Sequence, residues 1–216
     1  MKDKFTIEDF LIKIIPGGIL LGALYFIYGT SISLELPKGL DILSTTIFLV
    51  FSFLTGEVIQ TIAHEFEWII NIFFRFYKPS EIFLYQDNPI LKNEKIRKDI
   101  INYLAIPENE NNVFEKSYKK LPIFRKRQKQ DISQSYFWKL YSNVNDEAII
   151  NTFNRNYLYV RAIVFLFLTL SILFILNNHT DLFYLCLLLF IVFLWRARGM
   201  ARTLVFKTVL LNLKNI

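Results

Sequence analysis

Apolar residues are gathered into near-continuous runs, and this bunching limits the folds open to the chain. The runs cover residues 14–28, 46–54, 162–176 and 182–195, whereas 78–147 has the composition of an ordinary polar segment. Uninterrupted apolar segments of this kind are typical of helices that cross the hydrocarbon layer of a membrane. The sequence therefore predicts an integral membrane protein, and it excludes both a soluble enzyme with one continuous core and a disordered chain.

Each apolar run lies in a segment that we expect to cross the membrane as a helix. About 20 residues, rising 1.5 Å each, cover the roughly 30 Å hydrocarbon layer. The predicted spans are 10–30, 42–63, 158–176 and a shorter one over 182–195. We expect the first to be an uncleaved anchor, because no small-x-small cleavage site follows it and further spans come later.

Basic residues predict how these spans are oriented. The connections 31–41 and 177–181 contain only Lys38, whereas the insert 64–156 contains 15 Lys and Arg residues and the tail after 195 contains five. Because positive charge marks the cytoplasmic side, both termini and the insert are predicted to be cytoplasmic. The predicted fold class is an all-α integral membrane protein of four transmembrane helices in two hairpins, located in the bacterial inner membrane.

Three segments follow from this topology. Residues 1–78 form the first hairpin and a cytoplasmic extension of its second helix, 79–144 form a cytoplasmic helical insert, and 145–216 form the second hairpin with a basic tail. The tail pattern over 203–213 suits an amphipathic helix lying on the membrane surface.

The insert is predicted to consist of short helices. They cover 93–104, 113–121 and 132–141, and proline residues separate them. In the first of them, the 3.6-residue period places a set of apolar side chains on the buried face: Ile96, Ile100, Tyr103 and Leu104.

Polar residues recur every three or four positions along the second span and its extension. This polar stripe consists of Glu57, Gln60, His64, Glu67, Asn71 and Arg75. Glu57 is the costliest member, since a carboxylate in the hydrocarbon costs about 2.5–3.5 kcal/mol. Three interpretations stay open: an ion pair with Arg161 or Lys13, a polar lining of a pore or hydrated cavity, and a position nearer the interface.

The chain contains no established catalytic motif. A P-loop, G-x-G-x-x-G, G-x-S-x-G and H-E-x-x-H are all absent from the sequence. His64-Glu65-Phe66-Glu67 resembles half of a zinc motif, but the second histidine is missing. We therefore expect no catalytic residue, no metal and no cofactor, and we expect the single cysteine, Cys186, to be a buried inert thiol.

A dense basic patch lies in the insert. Its members are Lys119, Lys120, Arg125, Lys126 and Arg127, with Tyr118 and Phe124 near them. Such a patch suits anionic lipid headgroups or a solvated face, and these are favoured over nucleic acid because no nucleic-acid-binding module surrounds it.

Two short groups of residues carry a resemblance to a known family. They are Gly56-Glu57 with His64 in the second span, and Tyr157 with Arg161 entering the third. Together with the four-span plan and the helical insert, the chain resembles the membrane accessory protein of type VI-B CRISPR loci, which encode an RNA-guided nuclease, and related antiphage membrane effectors. The resemblance implies a partner-regulated membrane component that alters bilayer permeability or modulates a nuclease.

These observations lead to one expected function and one alternative. We expect a non-enzymatic, oligomeric inner-membrane protein that perturbs or gates the membrane in bacterial antiviral defence, with the bilayer, further copies and a cytoplasmic protein as its partners. The alternative is a membrane-tethered binding module whose basic insert recruits a partner protein, RNA or nucleotide.

Overall fold

The computed structural model describes the chain in seven ranges: 7–29, 42–73, 78–87, 90–91, 93–115, 132–144 and 147–214. Within these ranges the regular structure is entirely α-helical, as predicted. The helices are α1 (Ile7–Tyr28), α2 (Ile42–Phe73), α3 (Pro79–Ile82), α4 (Glu94–Tyr103), α5 (Glu108–Phe114), α6 (Ile132–Val144), α7 (Ala148–Leu176) and α8 (Thr180–Lys214).

Four of the described helices are long and apolar enough to cross a membrane, which confirms the predicted number. The qualifying segments are Phe10–Tyr28, Ile42–Glu67, Ala148–Leu176 and Thr180–Lys214. The last two are longer than the spans read from the sequence, because polar residues continue the same helices beyond the apolar runs. The short fourth span over 182–195 is thus the first part of a 35-residue helix.

Helices α7 and α8 are joined by a three-residue turn of defined geometry. Asn178 has a left-handed backbone with φ of 61°, a conformation that asparagine tolerates better than most residues. The amide of His179 donates to the carbonyl of Phe174 at 2.9 Å, and that of Asn178 donates to Ile175 at 3.3 Å. This pair of bonds is a Schellman motif, which satisfies carbonyls that the end of α7 would leave unpaired.

The chain divides into two compact units. The first unit comprises Met1–Glu67 and Arg155–Ala197, and the second comprises Trp68–Asn154 and Arg198–Ile216. This grouping differs from the three segments predicted from the sequence, because the basic tail joins the insert rather than the second hairpin.

In the first unit, α7 supplies most of the buried residues. Its side chains Ala162, Ile163, Leu166, Leu170 and Phe174 form a cluster with Ile59 of α2 and Cys186 of α8. The thiol of Cys186 is buried and unpaired by any disulfide, in agreement with the sequence. The outward face of α8 is apolar and exposed, as a surface that meets lipid or another protein requires.

Helices α1 and α2 approach each other through glycine. A Cβ atom on Gly17 would overlap the carbonyl oxygen of Ser52, and one on Gly56 would overlap the carbonyl oxygen of Lys13. The two backbones are therefore in direct contact, which is the small-residue packing that holds helices together where the hydrophobic effect does not.

The second unit has its own core. It is built around Phe83, Leu84 and Tyr85, which follow α3, and it includes Ile100 of α4, Phe114 of α5, and Phe137 and Leu140 of α6. Val205 and Val209 of α8 belong to the same cluster. The segment 203–213, predicted to lie on the membrane surface, thus packs in a protein core. An amphipathic helix can bury its apolar face against protein as well as against lipid.

Two details of the insert differ from the prediction. Tyr103 is 41% exposed instead of buried, since it lies near the end of α4. Helix α5 begins at Glu108, five residues before the predicted start, because Pro107 precedes its first turn, where the missing N–H costs nothing. Residues 116–121 of the predicted helix lie outside the described ranges.

The glycine contact predicts a position-specific cost. Gly56→Ala should destabilise the chain by about 1–3 kcal/mol, because the added methyl group forces α1 and α2 apart. Gly22→Ala in α1 is the matched control, since nothing lies within 4 Å of the added carbon and alanine favours helix. Thermal unfolding of both variants in the same detergent tests this. Equal melting temperatures would show that the contact does not matter.

Candidate functional site

The polar stripe lies on α2, and four of its side chains are described. Glu57, Gln60, His64 and Glu67 all belong to the first unit. The side chain of Asn71 lies outside the described residues, as do Arg75 and the whole basic patch of Lys119, Lys120, Arg125, Lys126 and Arg127. Their proposed roles stay predictions.

Glu67 is the centre of an ion-pair network between α2 and α7. Arg161 Nη1 lies 3.2 Å from Glu67 Oε2, and the Tyr157 hydroxyl donates to Glu67 Oε1 at 2.5 Å. The same Arg161 Nη1 lies 3.2 Å from His64 Nδ1. Tyr157, Arg161, Glu67 and His64 form what we call the ion-pair network. Both oxygens of one carboxylate are thereby engaged by α7.

Burial makes this pairing necessary. The side chains of Arg161 and Glu67 are only 15% and 19% exposed. A charge taken out of water is tolerated only with an opposite charge and further hydrogen bonds, which the network supplies. The guanidinium is also 5.7 Å from the centre of the Tyr157 ring, close enough for a cation–π contact.

His64 contacts the network through its Nδ1 atom. Arginine has donors only, so a hydrogen bond from Arg161 to Nδ1 uses the unshared electron pair of that nitrogen, and the bond depends on the tautomer of the ring.

A second ion pair joins α1 to α2. Lys13 Nζ contacts Glu57 Oε2, with the two side chains 22% and 50% exposed. Lys13 Nζ also lies 5.1 Å from the centre of the Phe53 ring. Of the two partners proposed for Glu57, Lys13 is the one in contact, because Arg161 is engaged with Glu67. The glycine contact at Gly56 brings the Lys13 backbone to this position.

Three buried polar atoms of the first unit have no hydrogen-bond partner among the described residues. They are Ser52 Oγ, Gln60 Nε2 and Arg161 Nε. An unsatisfied buried group of this kind costs about 1–3 kcal/mol, which water or another polar group would recover. All three belong to helices of membrane-spanning length.

The two residues of the half zinc motif contact an arginine instead of a metal ion. His64 and Glu67 both face Arg161, whose positive charge opposes a bound cation. Within the part of the chain that the structure describes, no group of three or more His, Cys, Asp and Glu side chains is arranged to hold a metal.

The period of α2 predicts one polar stripe, but it does not predict the partners of the stripe residues on α1 and α7. The four-residue spacing of Tyr157 and Arg161 predicts that both lie on one face of a helix that enters the third span, but it does not predict that Tyr157 donates to Glu67. The pairing itself depends on how α7 is rotated against α2, which a single sequence does not contain.

The helices and the network together define a class: an all-helical protein of multi-pass membrane type with ion pairs inside its membrane-length helices. Comparison of the chain with protein-family models, curated proteins and solved structures gives no match.

The network predicts a strong coupling between Arg161 and Glu67. Arg161→Leu should destabilise the chain by about 3–5 kcal/mol, because it leaves a buried carboxylate without its cation. Tyr157→Phe should cost about 1.5–3 kcal/mol through the hydrogen bond alone. The double variant Arg161→Leu with Glu67→Leu should recover most of the loss. Thermal unfolding in detergent measures all three, and strictly additive losses in the double variant would contradict the pairing.

Proposed function

We propose that this chain is a multi-pass protein of the bacterial inner membrane that gates or perturbs that membrane as an oligomer and carries out no enzymatic reaction. The supporting observation is the Glu57 side chain, which is half exposed although it belongs to a helix of membrane-spanning length.

The depth of Glu57 makes its exposure costly. A span that starts at Ile42 covers the roughly 30 Å layer with about 20 residues, so Glu57 lies roughly 6 Å inside the far edge. Lys13 neutralises one side of the carboxylate, and the exposed side still needs water or polar protein. Charged residues at such depths typically mark hydrated paths or buried partners.

Assembly provides such surroundings. Exposed apolar side chains flank Glu57 along one side of α2: Ile47, Val50, Phe51, Leu54 and Val58. Lipid alone covers apolar side chains adequately, but it does not solvate a carboxylate. A second copy packed on this face would enclose Glu57 between proteins, and a closed ring of copies would place Glu57 on a polar lining.

The finer topology belongs to the same proposal. Two hairpins place both termini and residues 79–144 in the cytoplasm, as the distribution of Lys and Arg favours. A role in antiviral defence, with a nuclease or another cytoplasmic protein as the regulator, rests on the resemblance noted from Gly56-Glu57, His64, Tyr157 and Arg161.

The rival function is a membrane-tethered binding module. The observation that favours it is the separate core of the second unit, which includes α4, α5 and α6. Membrane flux distinguishes the two functions, because a tethered module leaves the bilayer sealed.

Glu57→Gln tests the gating function directly. Glutamine nearly conserves shape but removes the negative charge that attracts cations, so we expect cation flux through reconstituted liposomes to change. Stability should change little, because Lys13 lies near one end of its span and its long side chain can reach the interface. Glu67→Gln is the matched control, since the same replacement in the ion-pair network should lower the melting temperature.

The two measurements must be made on one preparation. Flux per folded protein that is identical in wild type and Glu57→Gln, together with a large loss of stability, would leave only a structural ion pair. Wild-type liposomes that are as tight as protein-free ones would exclude gating by the chain alone.

Cysteine labelling tests the orientation. In a Cys186→Ala background, Lys38→Cys should react with an impermeant maleimide in intact cells, and Arg127→Cys should react only after the membrane is opened. Reaction at position 127 in intact cells would reverse the topology.

A further inference from the structure

A strongly exposed tryptophan lies where the apolar part of α8 ends. Trp195 is 81% exposed, although it lies inside a 35-residue helix. Residues 182–195 contain no charged side chain, and Arg196 follows directly. Tryptophan is enriched at the level of the lipid headgroups, because its ring is apolar and its indole N–H can reach polar groups. The position of Trp195 is therefore typical of a helix that leaves the hydrocarbon layer at that residue.

The part of α8 beyond Trp195 has charges of one sign only. Five Lys and Arg residues lie between 196 and 214, and no Asp or Glu lies among them. Within the described ranges, Arg196 and Arg202 make no ion pair and no side-chain hydrogen bond. Guanidinium groups in such surroundings attract anions, because no carboxylate of the same helix neutralises them.

Trp195 and Arg202 flank a gap in the surface of α8. The gap lies at Gly199, which is exposed and where an added Cβ atom would have nothing within 4 Å. Trp195, Gly199 and Arg202 are four and three residues apart, a spacing that places them on one side of a helix. Ala197 and Leu204, on the opposite side, are buried. We call the three exposed-side residues the α8 notch, and their spacing depends on this one unbroken helix alone.

The length of the α8 notch matches the headgroup layer of a bilayer. Trp195 and Arg202 are seven residues apart, or about 10 Å along the helix axis. The headgroup layer on each side of the hydrocarbon is roughly 5–8 Å thick. Side chains on a helix lean towards its N-terminus, which favours an Arg202 guanidinium directed back into this layer. With Trp195 at the edge of the hydrocarbon, Arg202 is therefore within reach of lipid phosphates.

We propose that the α8 notch binds an anionic phospholipid of the bilayer, with its acyl chains beside Trp195 and its phosphate on Arg202. Arginine matches phosphate oxygens through its planar fork of donors. The absence of acidic residues from this part of α8 disfavours the ammonium group of a zwitterionic lipid. The site requires that the chain spans a membrane, but it does not require gating.

Quenching of Trp195 fluorescence by brominated lipids tests the proposal in a bilayer. The full chain with Trp68→Phe and Trp138→Phe keeps Trp195 as its only tryptophan. It is reconstituted into mixed vesicles of phosphatidylglycerol and phosphatidylcholine, in which one lipid or the other has brominated chains. Bromine quenches a ring that the lipid contacts, so the two quenching levels give the relative affinity. We expect an at least about fivefold preference for phosphatidylglycerol, the effect of one basic residue near an anionic surface.

Three variants of this single-tryptophan chain separate a site from diffuse charge. Arg202→Gln should lower the preference about fivefold, because it removes the group that meets the phosphate. Lys207→Gln is the matched control, since it removes the same charge from another side of α8 and should keep the preference. Gly199→Leu conserves every charge but fills the α8 notch, so it should lower the preference too. Thermal unfolding checks that each variant is folded, which we expect because Arg202 makes no polar contact with the described residues and Gly199 faces open space.

Three outcomes would overturn the proposal. One is equal quenching by the two brominated lipids, which would make Trp195 an unselective lipid contact. Another is the absence of quenching by either lipid, which would mean that protein covers Trp195. The third is an equal loss of preference in Arg202→Gln and Lys207→Gln, which would leave only diffuse attraction between charges. None of them bears on the gating function, which is measured as the change in cation flux in Glu57→Gln.

Discussion

A charge inside a helix of membrane-spanning length must be paired or hydrated, and the arrangement of the first unit depends on this constraint. Arg161 and Glu67 are both mostly buried, so each makes the other tolerable. Tyr157 and His64 add further contacts to this pair, which favour one rotation of α7 against α2. Because apolar side chains pack equally well against lipid, these polar contacts distinguish one arrangement of the helices from the others.

The Arg161–Glu67 and Lys13–Glu57 ion pairs differ in how much of the carboxylate the protein covers. Around Glu67 the protein supplies the hydrogen-bond partners, and little of the carboxylate is exposed. Around Glu57 the protein supplies Lys13 and leaves half of the side chain uncovered. The Arg161–Glu67 pair therefore holds two helices of one copy together. The Lys13–Glu57 pair leaves a carboxylate surface that water or another subunit would have to solvate. This contrast is the reason that Glu57 is tested for flux and Glu67 for stability.

Much of the fold could be predicted from the sequence, because membrane crossing and helix periodicity are local properties. The apolar runs predicted the four long helices, and Asn93 caps α4 where the predicted helix begins by accepting from the Lys95 amide. The period of α2 grouped Glu57, Gln60, His64 and Glu67. Which partner each of them meets depends on tertiary contacts, so Lys13 and Arg161 were equivalent candidates for Glu57. The burial of Arg97 could not be predicted, because a charged residue is normally exposed and its hydrogen bond to the Leu84 carbonyl depends on tertiary contacts.

Helix α8 has a consequence for how the protein is made. Val205 and Val209 complete a core whose other members, such as Phe83 and Phe137, are synthesised much earlier. Asn212 also belongs to this late segment, and its side chain donates to the Leu140 carbonyl at 2.9 Å. The core of the second unit is therefore complete only after the ribosome has delivered the end of Thr180–Lys214, the last membrane-length segment. Phe83 and Phe137 are therefore synthesised well before the residues of α8 that complete their core.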